Sequence, residues 1–160
     1  NIVSRIPKRK AFCFVDLQSR STFGIPRRTA VGTDFNRVNL LMAVLEKRLG
    51  LRMGQTDAYV NLAGGMRLLE PALDLGIVMA LVSSFKNKVI SDHTVILGEV
   101  GLSGEVRAVN MAQQRVLEAQ KLGFTKCILP LANLDGLADI PGSMQIVSVS
   151  NVAEAINELI

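Results

Sequence analysis

A chain of 160 residues with 49% apolar side chains and a net charge of +4 can bury one core of ordinary size and is too hydrophobic for disorder. No run reaches the roughly 18 apolar residues of a membrane span, and no signal-peptide stretch follows the basic N-terminal segment. The expectation is therefore a cytoplasmic protein without membrane contact. Two cysteines (Cys13, Cys127), one histidine (His93) and no tryptophan speak against a disulfide scaffold, a metal site and an aromatic platform for single strands.

The charge is unevenly spread. Residues 1–52 carry eleven Lys/Arg against three acids, while residues 53–160 carry seven against eleven. A basic half of this kind suits a polyanion or an acidic face on a neighbouring subunit.

In chain order, Ala11 to Leu17, rich in Phe and Val, reads as a strand. Arg27 and Arg28 follow a proline and read as a loop. Asn36 to Leu49 is the first helix, with Val38, Leu41, Met42, Leu45 and Leu49 at helical spacing and Gly50 as its stop. Its polar side presents Arg37, Glu46 and Lys47, with Arg48 at the edge. Asp57 to Leu62 is a short strand ended by Gly64-Gly65. Pro71 opens a second helix that runs to about Phe85 and is apolar nearly all round, hence buried. Thr94 to Leu97 is a strand, followed by a hairpin punctuated by Gly98, Gly101 and Gly104. Ala112 to Leu122 is a helix closed by Gly123. Lys126 to Leu129 and Gln145 to Val149 are strands. Asn151, with Glu154 three residues on, caps a last helix to Leu159. Strands alternating with helices predict an α/β (α+β) fold with βαβ units and a mixed sheet in a single domain.

Neither glycine-rich stretch fits a dinucleotide or Walker A pattern, and no G-K-[ST] occurs. The glycines read as turn residues. A Ser-His-Asp triad would have to use His93, beside Asp92. A Ser-Lys dyad could use Ser83 or Ser84 with a lysine, but both lie late in an apolar helix where a nucleophile is sequestered.

Two sets of residues carry a family resemblance. Leu73-Asp74-Leu75-Gly76-Ile77 with Ala80-Leu81-Val82-Ser83, the hairpin from Gly98-Glu99-Val100 to Gly104-Glu105-Val106, and Val116 to Pro130 resemble the proteolytic domain of Lon. Phe23-Gly24-Ile25-Pro26-Arg27-Arg28 through Gly32, Asp34-Phe35-Asn36-Arg37-Val38, Val44 to Arg48, Asp57 to Asn61 and Ala63-Gly64-Gly65 resemble the signature of the bacterial RadA (Sms) recombination family, in its C-terminal Lon-protease-like domain. Residues 1–22 match poorly and read as a divergent lead-in or an artificial edge.

The resemblance implies a Lon-protease-like domain that is no enzyme. Asp74 stands where Lon keeps its serine and Arg115 where it keeps its lysine, and a guanidinium cannot take a proton. Asp74 and Arg115 are instead expected to pair with each other, pinning two helix starts. No cofactor is expected here, with ATP, Mg and Zn confined to the family's other domains, an ATPase and a zinc finger. The implied role is scaffolding a hexameric homo-oligomer and offering DNA, single-stranded or branched, a basic surface during branch migration. Arg27, Arg28, Arg37, Lys47 and Arg48 are the residues expected to contact DNA, with the recombinase RecA as a further candidate partner. Two rival readings are a Ser-Lys peptidase with displaced residues and a pure oligomerisation module without DNA contact.

Overall fold

The computed structural model describes residues 2–6, 11–18, 25–63, 69–138 and 142–160. Among the described residues, nine strands and four α-helices follow one another as β1 (Ile2–Ile6), β2 (Ala11–Gln18), β3 (Arg28–Val31), α1 (Phe35–Leu49), β4 (Asp57–Ala63), α2 (Asp74–Lys86), β5 (Thr94–Ile96), β6 (Glu99–Val100), β7 (Val106–Arg107), α3 (Ala112–Lys121), β8 (Lys126–Pro130), β9 (Gln145–Val149) and α4 (Val152–Leu159). Among the described residues the strands form one sheet of order β3-β4-β2-β1-β5-β8-β9 and a separate β6-β7 hairpin. The α/β reading holds: β1-β2 and β2-β4 pair antiparallel, while β3-β4, β1-β5, β5-β8 and β8-β9 run parallel.

The described parts of the lead-in, Ile2–Ile6 and Ala11–Gln18, belong to this sheet. Ile2–Ile6 pairs with β2 along its whole length and meets β5 at Arg5–Val95, so it joins the antiparallel half to the parallel half. Arg28–Val31 is likewise a strand and not a loop, lying parallel to β4 at the sheet edge. Short edge strands commonly carry charged residues, which discourage further pairing.

Strands β5 and β8 are buried on both faces, as parallel strands usually are. Ile96 and Ile128 enter a core shared with α1, α2 and α4, whereas Val95, Leu97, Cys127 and Leu129 enter a second core against α3. Helix α2 is central: Asp74 through Ser83 are all buried, which explains why its sequence is apolar all round. Helix α1 shows the expected one-sided burial, with Val38, Leu41, Met42, Val44 and Leu45 inward. Asp34 caps its start by accepting the Asn36 N–H at 3.3 Å, and Gly50 ends it at φ 67°, a left-handed geometry glycine adopts without strain. The cap expected for α4 forms, with Glu154 reaching back to the residue ahead of the cap. Asn151 Oδ1 accepts the Glu154 N–H at 2.9 Å, and Glu154 accepts the Ser150 N–H at 2.7 Å.

No described helix is long and apolar enough to cross a membrane.

Candidate functional site

Proline at position 71 opens a short 3-10 turn, Pro71–Leu73, that feeds directly into α2. This places Asp74 in the first helical turn, where the helix dipole favours a carboxylate. The turn is pinned to the hairpin by Gly98 N–H to Ala72 C=O (3.0 Å) and Leu75 N–H to Gly98 C=O (3.0 Å). Gly98 is needed for this approach, since a Cβ there would sit 2.9 Å from Val106 and 3.1 Å from Leu75.

Asp74 is 2% exposed, and a carboxylate so buried must be paired. Its partner is Arg37 of α1, whose guanidinium forks onto both carboxylate oxygens, with Nε donating at 2.9 Å. Asp74 also accepts the Val100 N–H at 3.1 Å, and Arg37 Nη2 donates to the Val100 carbonyl at 3.1 Å. The two side chains thus bracket one residue of β6, tying α1, α2 and the hairpin together. The hydrogen bond to Asp74 raises the Arg37 pKa above its ordinary value, against the opposing effect of burial.

The expected Asp74–Arg115 pair does not form. Arg115, 5% exposed on α3, turns the other way. Its Nε donates to the Asn110 carbonyl at 2.8 Å, and its Nη2 pairs with Glu70. Burial lowers its pKa, partly offset by Glu118. The physical reason is that Arg37 reaches Asp74 from a helix packed beside α2, so the carboxylate is already satisfied by a two-pronged partner. Helical spacing places Arg37 on the polar side of α1 but cannot show that this side meets a buried carboxylate.

A cleft of about 340 Å³ opens over this bracket, lined by Thr33, Asp34, Arg37, Glu70, Asp74 and Glu99 among others. Its carboxylates outnumber its cations, so it suits no anion. Ser83 is fully buried and donates to the Lys88 carbonyl at the end of α2. It serves the helix terminus, which leaves the displaced-dyad reading without a nucleophile at that serine.

The remaining cations expected to face DNA lie at the surface. Arg27 is exposed, with its backbone N–H held by Asp57 Oδ1 at 2.6 Å. Among the described residues, its guanidinium has no partner. Arg28 is half-buried, and one of its Nη1 hydrogens goes to Asn39 Oδ1 at 3.0 Å. Lys47 and Arg48 are exposed in the last turn of α1, Arg48 Nε lying 3.5 Å from the Leu102 carbonyl. Arg37 alone of the five is committed inward. The motif residues Phe23, Gly24, Gly64 and Gly65 lie outside the described residues.

The family model described as subunit ChlI of Mg-chelatase matches residues 16–133. The chain is also similar to proteins named DNA repair protein RadA. It is 52% identical over 145 residues to that of Halalkalibacterium halodurans, covering 89% of this chain and 32% of the relative. It is 53% identical over 140 residues to that of Bacillus subtilis, covering 88% and 30%. With the Streptococcus pneumoniae protein it shares 44% over 143 residues, covering 89% and 34%. The chain thus spans about a third of the length of these curated relatives.

Two expectations are corrected by these matches. A model of a Mg-chelatase subunit over most of the chain points to an ATPase-type region, so the reading as a degenerate peptidase domain that is no enzyme does not stand. Nor does the expectation of no cofactor, because ATP and Mg²⁺ are the groups such a region implies. The glycine-rich turn at Gly98–Gly104 does not itself fit a triphosphate. A Cβ on Gly101 would lie 1.9 Å from the Glu105 carboxylate, which fills the space under the turn and accepts the Ser103 N–H at 3.1 Å. Among the described residues, no group of three His, Cys, Asp or Glu side chains is placed to hold a metal ion.

Proposed function

We propose that this chain, which belongs to the family described as subunit ChlI of Mg-chelatase and is about half identical to RadA proteins, serves DNA repair and recombination by presenting a basic surface to DNA. The observation that carries the reading is the pair Arg27 and Arg28. They sit on an edge strand and the residue before it, and among the described residues neither guanidinium is taken up by a carboxylate.

Arginine donates two parallel bonds to a phosphate, so such a pair holds a backbone without reading sequence. Lys47 and Arg48 add two exposed cations in the last turn of α1. Arg37 is left out of this surface, because removing it from Asp74 would strand a buried carboxylate. DNA, single-stranded or branched, is the proposed partner, and branch migration the process it would serve. The parent protein is proposed to act as a hexameric ring in the cytoplasm, with RecA as a further partner.

Fluorescence-anisotropy titration of labelled DNA at two salt concentrations tests this, comparing the chain with Arg27→Ala/Arg28→Ala. Binding that weakens with salt, and weakens again in the double variant, is expected. Absence of binding even at low salt would overturn the reading and favour assembly without DNA contact.

A further inference from the structure

We propose that Met111 is a site at which peroxide modifies the folded chain, and that the groove beside α3 accommodates its sulfoxide without loss of the fold.

The sequence has six methionines. Met42, Met53, Met79 and Met144 are buried in the two cores, and Met66 lies outside the described residues. Met111 differs from these four in being 58% exposed. Its backbone takes φ 57° at the N-cap of α3, a left-handed geometry uncommon outside glycine. No side chain caps that helix start by a hydrogen bond, so the thioether serves neither a core nor a cap.

A groove of about 610 Å³ opens at this point, lined by Asn110, Met111, Gln113, Gln114, Leu117 and Asn133 among others. None of its lining residues is charged. Two of the four amides are already used. Gln113 Nε2 donates to the Ala138 carbonyl at 2.7 Å, and Asn133 holds both backbone groups of Val109. The exposed side chains of Asn110 and Gln114 make no hydrogen bond among the described residues. The groove thus gives a peroxide access to the sulfur and leaves two amide donors for the oxygen it transfers.

In the reaction a sulfur lone pair attacks one peroxide oxygen, the O–O bond breaks and an S–O bond forms. Sulfur gives up two electrons, hydroxide leaves, and the proton on the transferred oxygen joins it as water. The product replaces an apolar thioether with a polar, chiral sulfoxide. Inside a core that exchange disrupts packing, whereas at Met111 the new oxygen stays in water beside free amides.

The test is treatment of the full chain with hydrogen peroxide, quenched at intervals and mapped by mass spectrometry after trypsin. Tryptic peptides 38–47, 68–86 and 108–115 each carry one methionine, Met42, Met79 and Met111 in turn. Peptide 108–115 should gain one oxygen at close to the rate of N-acetyl-methionine amide. The other two should gain it only as fast as the chain opens, and at once in urea. The chain oxidised at Met111 should keep the thermal midpoint of the untreated chain. Met111→Leu should lose the early oxygen on peptide 108–115 and leave the other two peptides unchanged. Equal rates on the three peptides of the folded chain, or no oxygen on peptide 108–115, would overturn the site. A lower midpoint after oxidation at Met111 would overturn the accommodation by the groove.

Discussion

Arg37 and Asp74 join α1 to the start of α2 through a two-pronged ion pair that also holds both backbone groups of Val100. Asp74 is buried and Arg37 is partly open to the cleft, so the two are not equivalent. Removing Arg37 leaves an uncompensated buried charge, and removing Asp74 leaves a cation that can turn to water. Breaking a buried pair from one side typically costs several kcal/mol, whereas replacing both partners with apolar residues can be nearly neutral. Arg37→Ala should therefore lower unfolding stability in urea by roughly 3 kcal/mol, Asp74→Ala by less, and Arg37→Met/Asp74→Leu by less than either. A double variant as unstable as the sum of the two singles would contradict the pairing.

Glu105 gives the hairpin an acid-sensitive contact. The Ser103 hydroxyl, then its own backbone N–H and the Arg107 guanidinium, hold its carboxyl at about 2 from an ordinary value of 4.5. A carboxyl held low stabilises the fold above its unfolded pKa, and that contribution is lost as pH falls through the folded value. Between pH 4.5 and 2 the hairpin should loosen progressively. Carbon-detected NMR titration of the Glu105 carboxyl should report a midpoint near 2, and Glu105→Gln should remove this part of the acid dependence. A midpoint at the ordinary value would show that Ser103 and Arg107 do not hold it.

Cys127 lies fully buried on β8, and burial pushes its thiol up to about 12. Almost no thiolate is present near neutral pH, and the thiolate is the reactive form. In a Cys13→Ser background, which leaves Cys127 as the only thiol, Ellman's reagent at pH 8 should react only as fast as the chain unfolds. Urea should make the reaction immediate. Rapid labelling of the folded chain would contradict the burial.

The helices were readable because their signals are local. Val38, Leu41, Met42 and Leu45 give α1 its period, Gly50 its stop, and Asn151 with Glu154 the cap of α4. The α/β class followed from the alternation of helices and strands. Ile2–Ile6 was missed because nothing local marks five residues followed by a proline and a basic run. Its strand character comes from pairing with β2, the next strand in the chain, and with the remote β5. Arg27 and Arg28 read as a loop because they follow Pro26, yet Arg28 begins the edge strand β3, which tolerates charge at the sheet edge. The pairing of Asp74 was beyond local reading, since the choice between Arg37 and Arg115 depends on which helix packs beside α2. The partner of Arg115, Glu70, lies just ahead of Pro71 and had no motif to mark it.

The most direct test of the DNA-facing surface is the slope of log Kobs against log salt for a fixed DNA, in the chain and in Arg27→Ala/Arg28→Ala. Each phosphate contact releases counterions and adds roughly 0.9 to the magnitude of the slope on duplex and 0.7 on single strands. The double variant should bind with a slope shallower by between about one and two. Equal slopes, with or without a loss of affinity, would mean that neither arginine touches a phosphate and would contradict the account.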